Sequence, residues 1–263
     1  MKMNSLPYIQ YHLFKPAKNF VFFFLYFLLN PQLWILFAKG YYIPVHVQFQ
    51  WLKKFGLDVF IDVGASKGNV SQTINYLFPK AKIYAFEPIE KELEILKSKI
   101  KGKSLILEKL ALTDKVGQAQ FYIFSYTPVS SLLKMVNQFE DKFNHSSTEE
   151  KIIVKTSTLD KYFANKNLKG CVVLKIDTQG TEYLILKKGV ETLKKISIII
   201  IESSFSKMYH NQYLFSDIYK LLTNQGFVYA GKIDESQFYP THELSISENS
   251  VFIKISFLNS LNE

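Results

Sequence analysis

The sequence predicts an α/β fold, a mostly parallel sheet covered by helices on both faces. Three features predict it. From Leu57 to Phe257, short apolar runs alternate with segments whose apolar residues recur at helical spacing. Acidic residues stand at the carboxyl ends of four of those runs: Asp62, Glu87, Asp177 and Glu202. The first run, in FIDVGASKGNV, passes through a small-residue turn with Gly64 and Gly68 into a new amphipathic segment.

The 263 residues are 48% hydrophobic, which fits one α/β domain with an extension better than two separate domains. The division falls at residues 1–56 and 57–263. Within the extension, residues 20–38 (FVFFFLYFLLNPQLWILFA) form the most apolar window, interrupted by Asn30-Pro31-Gln32. Proline removes a helix hydrogen bond and biases the preceding residue towards extended geometry. Three readings stay open: a helix pair packed on the core or on a dimer mate, an interfacial anchor, and a kinked membrane span. No small-residue cleavage site follows the apolar run, so a signal peptide is not expected. In VQFQWLKKFG, Val47, Trp51 and Phe55 share a helical face and Gly56 ends it.

LDVFIDV then reads as the first strand, and NVSQTINYLF as a helix capped by Asn69. AKIYAF is the second strand. PIEKELEILKSKIKG is a helix with Pro88 in its first turn, Leu93, Leu96 and Ile100 on one face, and Gly102 at its end. SLILEKLAL reads as the third strand, while GQAQFYIF and KIIVKTS are extra strands bracketing a loop over 125–150. That loop exceeds an ordinary connection, as a lid or a disordered segment does. CVVLKID, a helix from Thr181 to about Lys195, ISIIIIES, a helix at 213–225, FVYAG and NSVFIKISF complete the alternation.

Cys171 is the only cysteine and lies in an apolar run, so no intrachain disulfide forms and a reducing, cytoplasmic setting is expected, at the inner face of a membrane if the extension binds one. The net charge of +9 comes mainly from scattered lysines. No helix-turn-helix, RNA-recognition or zinc-finger spacing accompanies it, so nucleic acid is not an expected partner. The oligomeric state is left open.

In an open sheet of this kind, ligands bind beyond the carboxyl ends of the strands. The turn reads G-x-x-x-G, which matches neither the dinucleotide fingerprint nor a P-loop. An aspartate opening it repels phosphate and suits a cationic or hydroxyl-bearing ligand, because carboxylates only accept hydrogen bonds. Glu87 is placed to accept from both hydroxyls of a ribose. A ligand with a ribose and a positive, amino-acid-like end but no phosphate is S-adenosylmethionine. The same glycine spacing speaks against the rival of a nicotinamide-dependent oxidoreductase.

FIDVGASKGNVS, IYAFEP, SSLL, STLDKYF, LKIDTQGTEYLILKKGVETL and IIESSFSKMYHNQYLFSDIYKLLTNQGF together resemble the FkbM family of S-adenosylmethionine-dependent methyltransferases over about residues 52–255. The resemblance implies the class I methyltransferase Rossmann-like fold, a seven-stranded sheet with its last strand antiparallel. It also implies O-methylation of a hydroxyl, in many members during surface-polysaccharide or natural-product biosynthesis. The acceptor expected here is a hydroxyl of a glycan, glycolipid or small molecule. Ser66 replaces the middle glycine of the broader D-x-G-x-G-x-G loop, a position commonly Asn in the resembled family. Carried onto this chain, Asp62, Gly64, Ala65 and Gly68 line the methionine end of the cofactor, Glu87 holds the ribose, and Leu110, Ala111 and Leu112 border the adenine.

For the chemistry, Asp177, Lys175 and Glu202 are the candidates. Lys175 and Asp177 project to one strand face because side chains alternate with period two, and either is placed to position or deprotonate a hydroxyl. Asp177 and Glu202 end adjacent strands and form a pair that a hard divalent ion accepts, although a metal is not the favoured reading and no metal residues are assigned. Glu182 is explained by the helix dipole, and His210 reads as a surface-loop histidine. A methyltransferase-like fold without turnover, serving as a membrane-associated scaffold, is the remaining alternative; the intact set of Asp62, Glu87 and Asp177 counts against it.

Overall fold

The computed structural model describes residues 27–100, 104–137, 148–233, 237–238 and 245–261. They fall into two compact units, divided after Val47. In the first, the helix Pro31–Ala38 follows Asn30, with proline at its start, where a missing N–H costs nothing. Leu33, Leu36 and Ile43 form its small core with Phe27, Tyr41 and Val47.

The second unit carries two sheets. Strands β1 (Leu57–Val63), β2 (Lys82–Phe86), β3 (Leu105–Glu108), β4 (Ala111–Leu112), β5 (Gly117–Phe124), β6 (Thr148–Ser157), β7 (Cys171–Ile176), β8 (Ile198–Ser204), β9 (Phe227–Lys232), β10 (Gln237–Phe238) and β11 (Ser245–Lys254) follow in chain order. The main sheet runs β10-β11-β8-β7-β1-β2-β3, and β9 also pairs with β11. β9 and β10 lie in succession along the same edge of β11, so the sheet is seven strands wide. β11 is antiparallel to β8 and β9, while β3, β2, β1, β7 and β8 are parallel. This is the class I methyltransferase sheet with its antiparallel last strand, as expected.

β7 is buried along its whole length, as befits a central strand covered on both faces. Val59, Ile61 and Val63 of β1, Val172, Leu174 and Ile176 of β7, and Ile199 and Ile201 of β8 point into one large apolar cluster. Period-two alternation therefore sends Asp62, Lys175 and Glu202 to the opposite face. The register pairs Asp62 with Lys175 and Ile176 with Ile201, which sets Asp177 beside Glu202 one step further on.

Four local expectations are corrected. SLILEKLAL is two strands, because the chain turns at Lys109-Leu110 and β4 joins β6 and β5 in a separate three-stranded sheet. Asn69 does not cap its helix: Gly68 holds the cap position with a left-handed φ of 77°, and Asn69 Oδ1 instead accepts from Lys99 Nζ at 2.7 Å. The helix after β2 starts at Glu90, leaving Pro88 outside it. The helix expected from Thr181 is two short ones, Glu182–Lys187 and Val190–Leu193, broken at Gly189. A Cβ at Gly189 would approach Leu159 Cδ2 to 2.6 Å, so the break lets the chain pass close to that side chain.

Candidate active site

A cavity of about 410 Å³ opens at the carboxyl ends of the parallel strands. Gly64, Ser66, Glu87, Leu110, Ala111, Asp177, Gln179 and Glu202 line it, and residues 126–130 with Met208 and Tyr209 form the opposite wall. Residues 126–130 belong to the loop expected over 125–150, of which residues 138–147 lie outside the described set, while Met208 and Tyr209 follow β8. Ser131 Oγ ties the loop to the strand ends by donating to Gln179 O at 2.6 Å, and Tyr209 Oη lies 2.8 Å from Val129 O.

The turn after β1 offers the cavity few free amides. Gly64 N–H and Ala65 N–H both donate to Phe86 O, at 3.1 and 3.0 Å, and Ser66 N–H donates to Glu87 Oε2 at 2.9 Å. A phosphate-binding loop needs those donors pointing outward. Here they hold the β2 end, and the cavity is met by carboxylate instead. Gly64 is at φ 81°, and a Cβ there would collide with the Asp177 carbonyl, so glycine is what lets β1 and β7 end side by side. Ser66 itself sits at φ 46°, the left-handed geometry that asparagine or glycine adopts most readily.

Three residues expected along the cofactor do not line the cavity. Gly68 packs beneath the Leu96 side chain, and Ala65 is buried with Ala85, Leu96 and Ile100. Asp62 is fully buried one layer down, accepting from Ser71 Oγ at 2.7 Å and facing Lys175 Nζ at 3.6 Å. Gly64, Glu87 and Ala111 do line it, Ala111 from β4. Glu87 also accepts from Ile89 N–H at 2.9 Å. Burial pushes its carboxyl up to about 7, against the opposing pull of the two backbone donors. Both oxygens keep a second lone pair for a ligand hydroxyl.

At the other end, Asp177 and Glu202 face one another through Gln179. The Gln179 carboxamide donates from Nε2 to Asp177 Oδ1 at 2.9 Å and to Glu202 Oε2 at 2.7 Å. It occupies the gap a divalent ion would need, and an amide N–H is no metal ligand. Among the described residues no cluster of three or more His, Cys, Asp and Glu is arranged for a metal. The donor set therefore does not fit the ion that Asp177 and Glu202 suggested. Burial raises the Glu202 carboxyl well above its ordinary range, with Asp177 and Glu182 adding to the shift and Lys175 opposing it.

Lys175 Nζ lies between Asp62 and Asp177, 3.4 Å from Asp177 Oδ2. Burial alone would lower its pKa, but the two carboxylates outweigh that and raise it. A buried ammonium held this way stays charged. Of the two roles expected of it, positioning or deprotonating a hydroxyl, this favours positioning. Glu182 is likewise buried and accepts from the N–H groups of Thr178 and Gly180, so it shapes the loop. His210 is exposed, as expected of a loop position.

Gln179, Tyr209, Ser131 and Glu92 escaped the sequence reading. Gln179 adopts φ 57° beside Gly180 at φ 107°, and a non-glycine residue held there is a signal of function that no sequence displays. Tyr209 Oη also lies 3.1 Å from Gln179 Oε1, and burial raises its pKa well above normal, so it stays a phenol. Glu92, on the helix after β2, turns inward and accepts from Ser66 Oγ and Thr127 Oγ1 at 3.3 and 3.1 Å.

The cavity fits S-adenosylmethionine by its chemistry. The carboxylate of Glu87 has apolar Phe86, Leu110, Ala111 and Leu112 beside it, and the acidic Asp177 and Glu202 stand at the other end, groups that could accept ribose hydroxyls and face a cationic end. A family profile described as "Methyltransferase FkbM domain" matches residues 62–229. The 2-O-methyltransferase NoeI of Sinorhizobium fredii is 25% identical over 188 residues, covering 67% of this chain and 77% of that one. Among solved structures, a TehB-like SAM-dependent methyltransferase from Corynebacterium glutamicum aligns with a TM-score of 0.45 at 10% identity, covering 85% of this chain and 95% of that one. Magnesium protoporphyrin IX methyltransferase from Synechocystis, with bound SAM, aligns at 0.41 and 15% identity, covering 80% and 78%. The strand order, the carboxylate-lined cavity and a profile match over most of the chain lead to one conclusion: the chain belongs to the FkbM methyltransferase family.

Proposed function

We propose that the protein is an S-adenosylmethionine-dependent O-methyltransferase whose acceptor is a hydroxyl of a sugar in a glycan or glycolipid. The observation that carries this reading is the replacement of outward-pointing amides by carboxylates at both ends of one cavity, Glu87 at one and Asp177 with Glu202 at the other. The similarity to a 2-O-methyltransferase supports a hydroxyl as acceptor.

The cofactor supplies a methyl group on a cationic sulfur. Glu87 would hold the ribose through the lone pairs its backbone donors leave free, and Leu110, Ala111 and Leu112 would flank the adenine. Asp177 would orient the acceptor hydroxyl and take its proton as the oxygen gains the methyl, the S–C bond breaking to leave a neutral thioether. Sugar hydroxyls are weak acids, so a positioned acceptor for that proton counts for about a hundredfold or more in rate. Lys175, fixed against Asp62, positions the Asp177 carboxylate by charge. Gln179 donates to both Asp177 and Glu202 and so keeps both oriented.

Labelled cofactor incubated with the protein and with glycan, glycolipid and small-molecule fractions from cells lacking it tests the reading. Label in an O-methyl ether of a sugar is expected. Label on nitrogen, sulfur or carbon would overturn the O-methyl assignment, and label confined to a sugar-free molecule would overturn the acceptor class.

A further inference from the structure

We propose that Glu202 selects the acceptor by holding a second hydroxyl beside the one that Asp177 deprotonates, so that the substrate presents a vicinal diol on an uncharged sugar ring. This rests on the O-methyltransferase function proposed above and specifies its acceptor. The Glu202 carboxyl takes no part in the proton transfer, although it lines the cavity together with Asp177. It accepts from Gln179 Nε2 at 2.7 Å, and from Ser247 Oγ at the long distance of 3.5 Å. The cation of this end, Lys175, stands within ion-pair distance of Asp62 and Asp177 instead. A carboxyl set in a cavity wall with so few donors is completed by a ligand that donates.

Geometry makes that ligand a pair of neighbouring hydroxyls. Asp177 Oδ1 and Glu202 Oε2 accept from the same amide nitrogen, at 2.9 and 2.7 Å, so the two oxygens stand less than about 6 Å apart. Hydroxyls on adjacent ring carbons leave the ring along one edge and each donates over about 2.7 Å, so one such pair reaches both acids. Hydroxyls on opposite edges of a ring point apart and serve only one. Two acids this close also oppose each other's ionisation: burial first, and then Asp177, push the Glu202 carboxyl upward. A donor to each offsets that repulsion.

Charge makes the ring neutral. Among the described residues lining the cavity are four acids, Glu87, Glu92, Asp177 and Glu202, and no lysine, arginine or histidine. This contrasts with the +9 charge of the whole chain. A carboxylate or phosphate on the acceptor would enter beside like charge, without a cation in the lining to offset it. Asn249, opposite Glu202 in the antiparallel register and on the same sheet face, also lines the cavity. Pro128, Val129 and Met208 add apolar wall, which suits the C–H face of a sugar.

The test uses the 263-residue chain, labelled cofactor, and glycan and glycolipid fractions from cells lacking the protein, each divided into an untreated portion and one oxidised with periodate and reduced with borohydride. Periodate cleaves vicinal diols and spares isolated hydroxyls. Labelling is expected to fall about a hundredfold or more after treatment, because a site built to bond a hydroxyl rejects acceptors that lack it. The labelled sugar released from the untreated portion is expected to be neutral, with a free hydroxyl on a carbon next to the methyl ether. Glu202→Ala is expected to raise the acceptor KM about tenfold or more and to spread label onto a neighbouring hydroxyl, a shift of position that a merely structural role would not produce. Cooperative thermal unfolding shows that this variant folds, and the periodate comparison needs no variant. Full labelling after periodate, a methyl ether without an adjacent free hydroxyl, a labelled sugar that is acidic or bears an amine, or an unchanged KM and position in Glu202→Ala would overturn the proposal and leave O-methylation standing. Absence of any O-methyl ether from the untreated portions would overturn O-methylation itself, and this proposal with it.

Discussion

The two ends of the cavity hold carboxylates in different ways. Glu87 is gripped by backbone, by the N–H groups of Ser66 and Ile89, each within a turn that follows a strand. Asp177 and Glu202 are gripped by side chains, by Lys175 and Gln179. A backbone grip comes with the fold and survives changes in neighbouring side chains. A side-chain grip is tunable and fragile, because losing one member strands the others in a buried place. Under the proposed function, constant duty, holding a cofactor, falls to the first end and chemistry to the second.

That division predicts unequal responses to substitution. Asp177→Asn should lower turnover by about 10²–10⁴-fold while leaving cofactor affinity nearly unchanged. Single-turnover methyl transfer measures the first and calorimetry the second, and equal losses in both would erase the distinction between the ends. Lys175→Met should destabilise the fold by about 3–5 kcal/mol, because Asp62 is then a fully buried carboxylate without its cation. Urea denaturation reads this directly; a change near zero would mean that Asp62 finds another partner.

Glu87→Ala should weaken cofactor binding by about 1–3 kcal/mol with little effect on turnover at saturation. Turnover falling while affinity holds would reverse the roles of the two ends. The smallest effect is a proton. In the folded protein Glu87 titrates near 7 instead of 4.5, so its neutral form stabilises the empty fold at low pH, and that contribution fades as pH rises through 7. Ribose hydroxyls donate to the ionised form, so cofactor affinity should fall as pH drops below about 7. Binding at pH 7 should release about half a proton, seen as buffer-dependent heats and absent in Glu87→Ala.

The strand ends were readable in advance because acid after an apolar run is a local pattern. Asp62, Glu87, Asp177 and Glu202 all stand at one edge of the sheet, as that pattern required. Which of them reaches the ligand was not readable. Asp62 follows the same rule as Asp177, yet it lies two positions earlier in the register, level with Lys175, and so is sealed beneath the cavity. The far wall was invisible for another reason. Tyr209 meets Val129 and Gln179 only after β8 and the loop beyond β5 have been brought together by the sheet.

Sequence by itself determined the order of strands and helices, the carboxylates at their ends and the glycine-bearing turn. Hydrophobic periodicity and turn chemistry act over a few residues, so one chain segment displays them. Tertiary structure alone decided the amide between Asp177 and Glu202, the burial of Asp62 and Lys175, and the departure of β4 to a second sheet. Those depend on register and on the loss of water around charge, which arise only when distant segments share one interior.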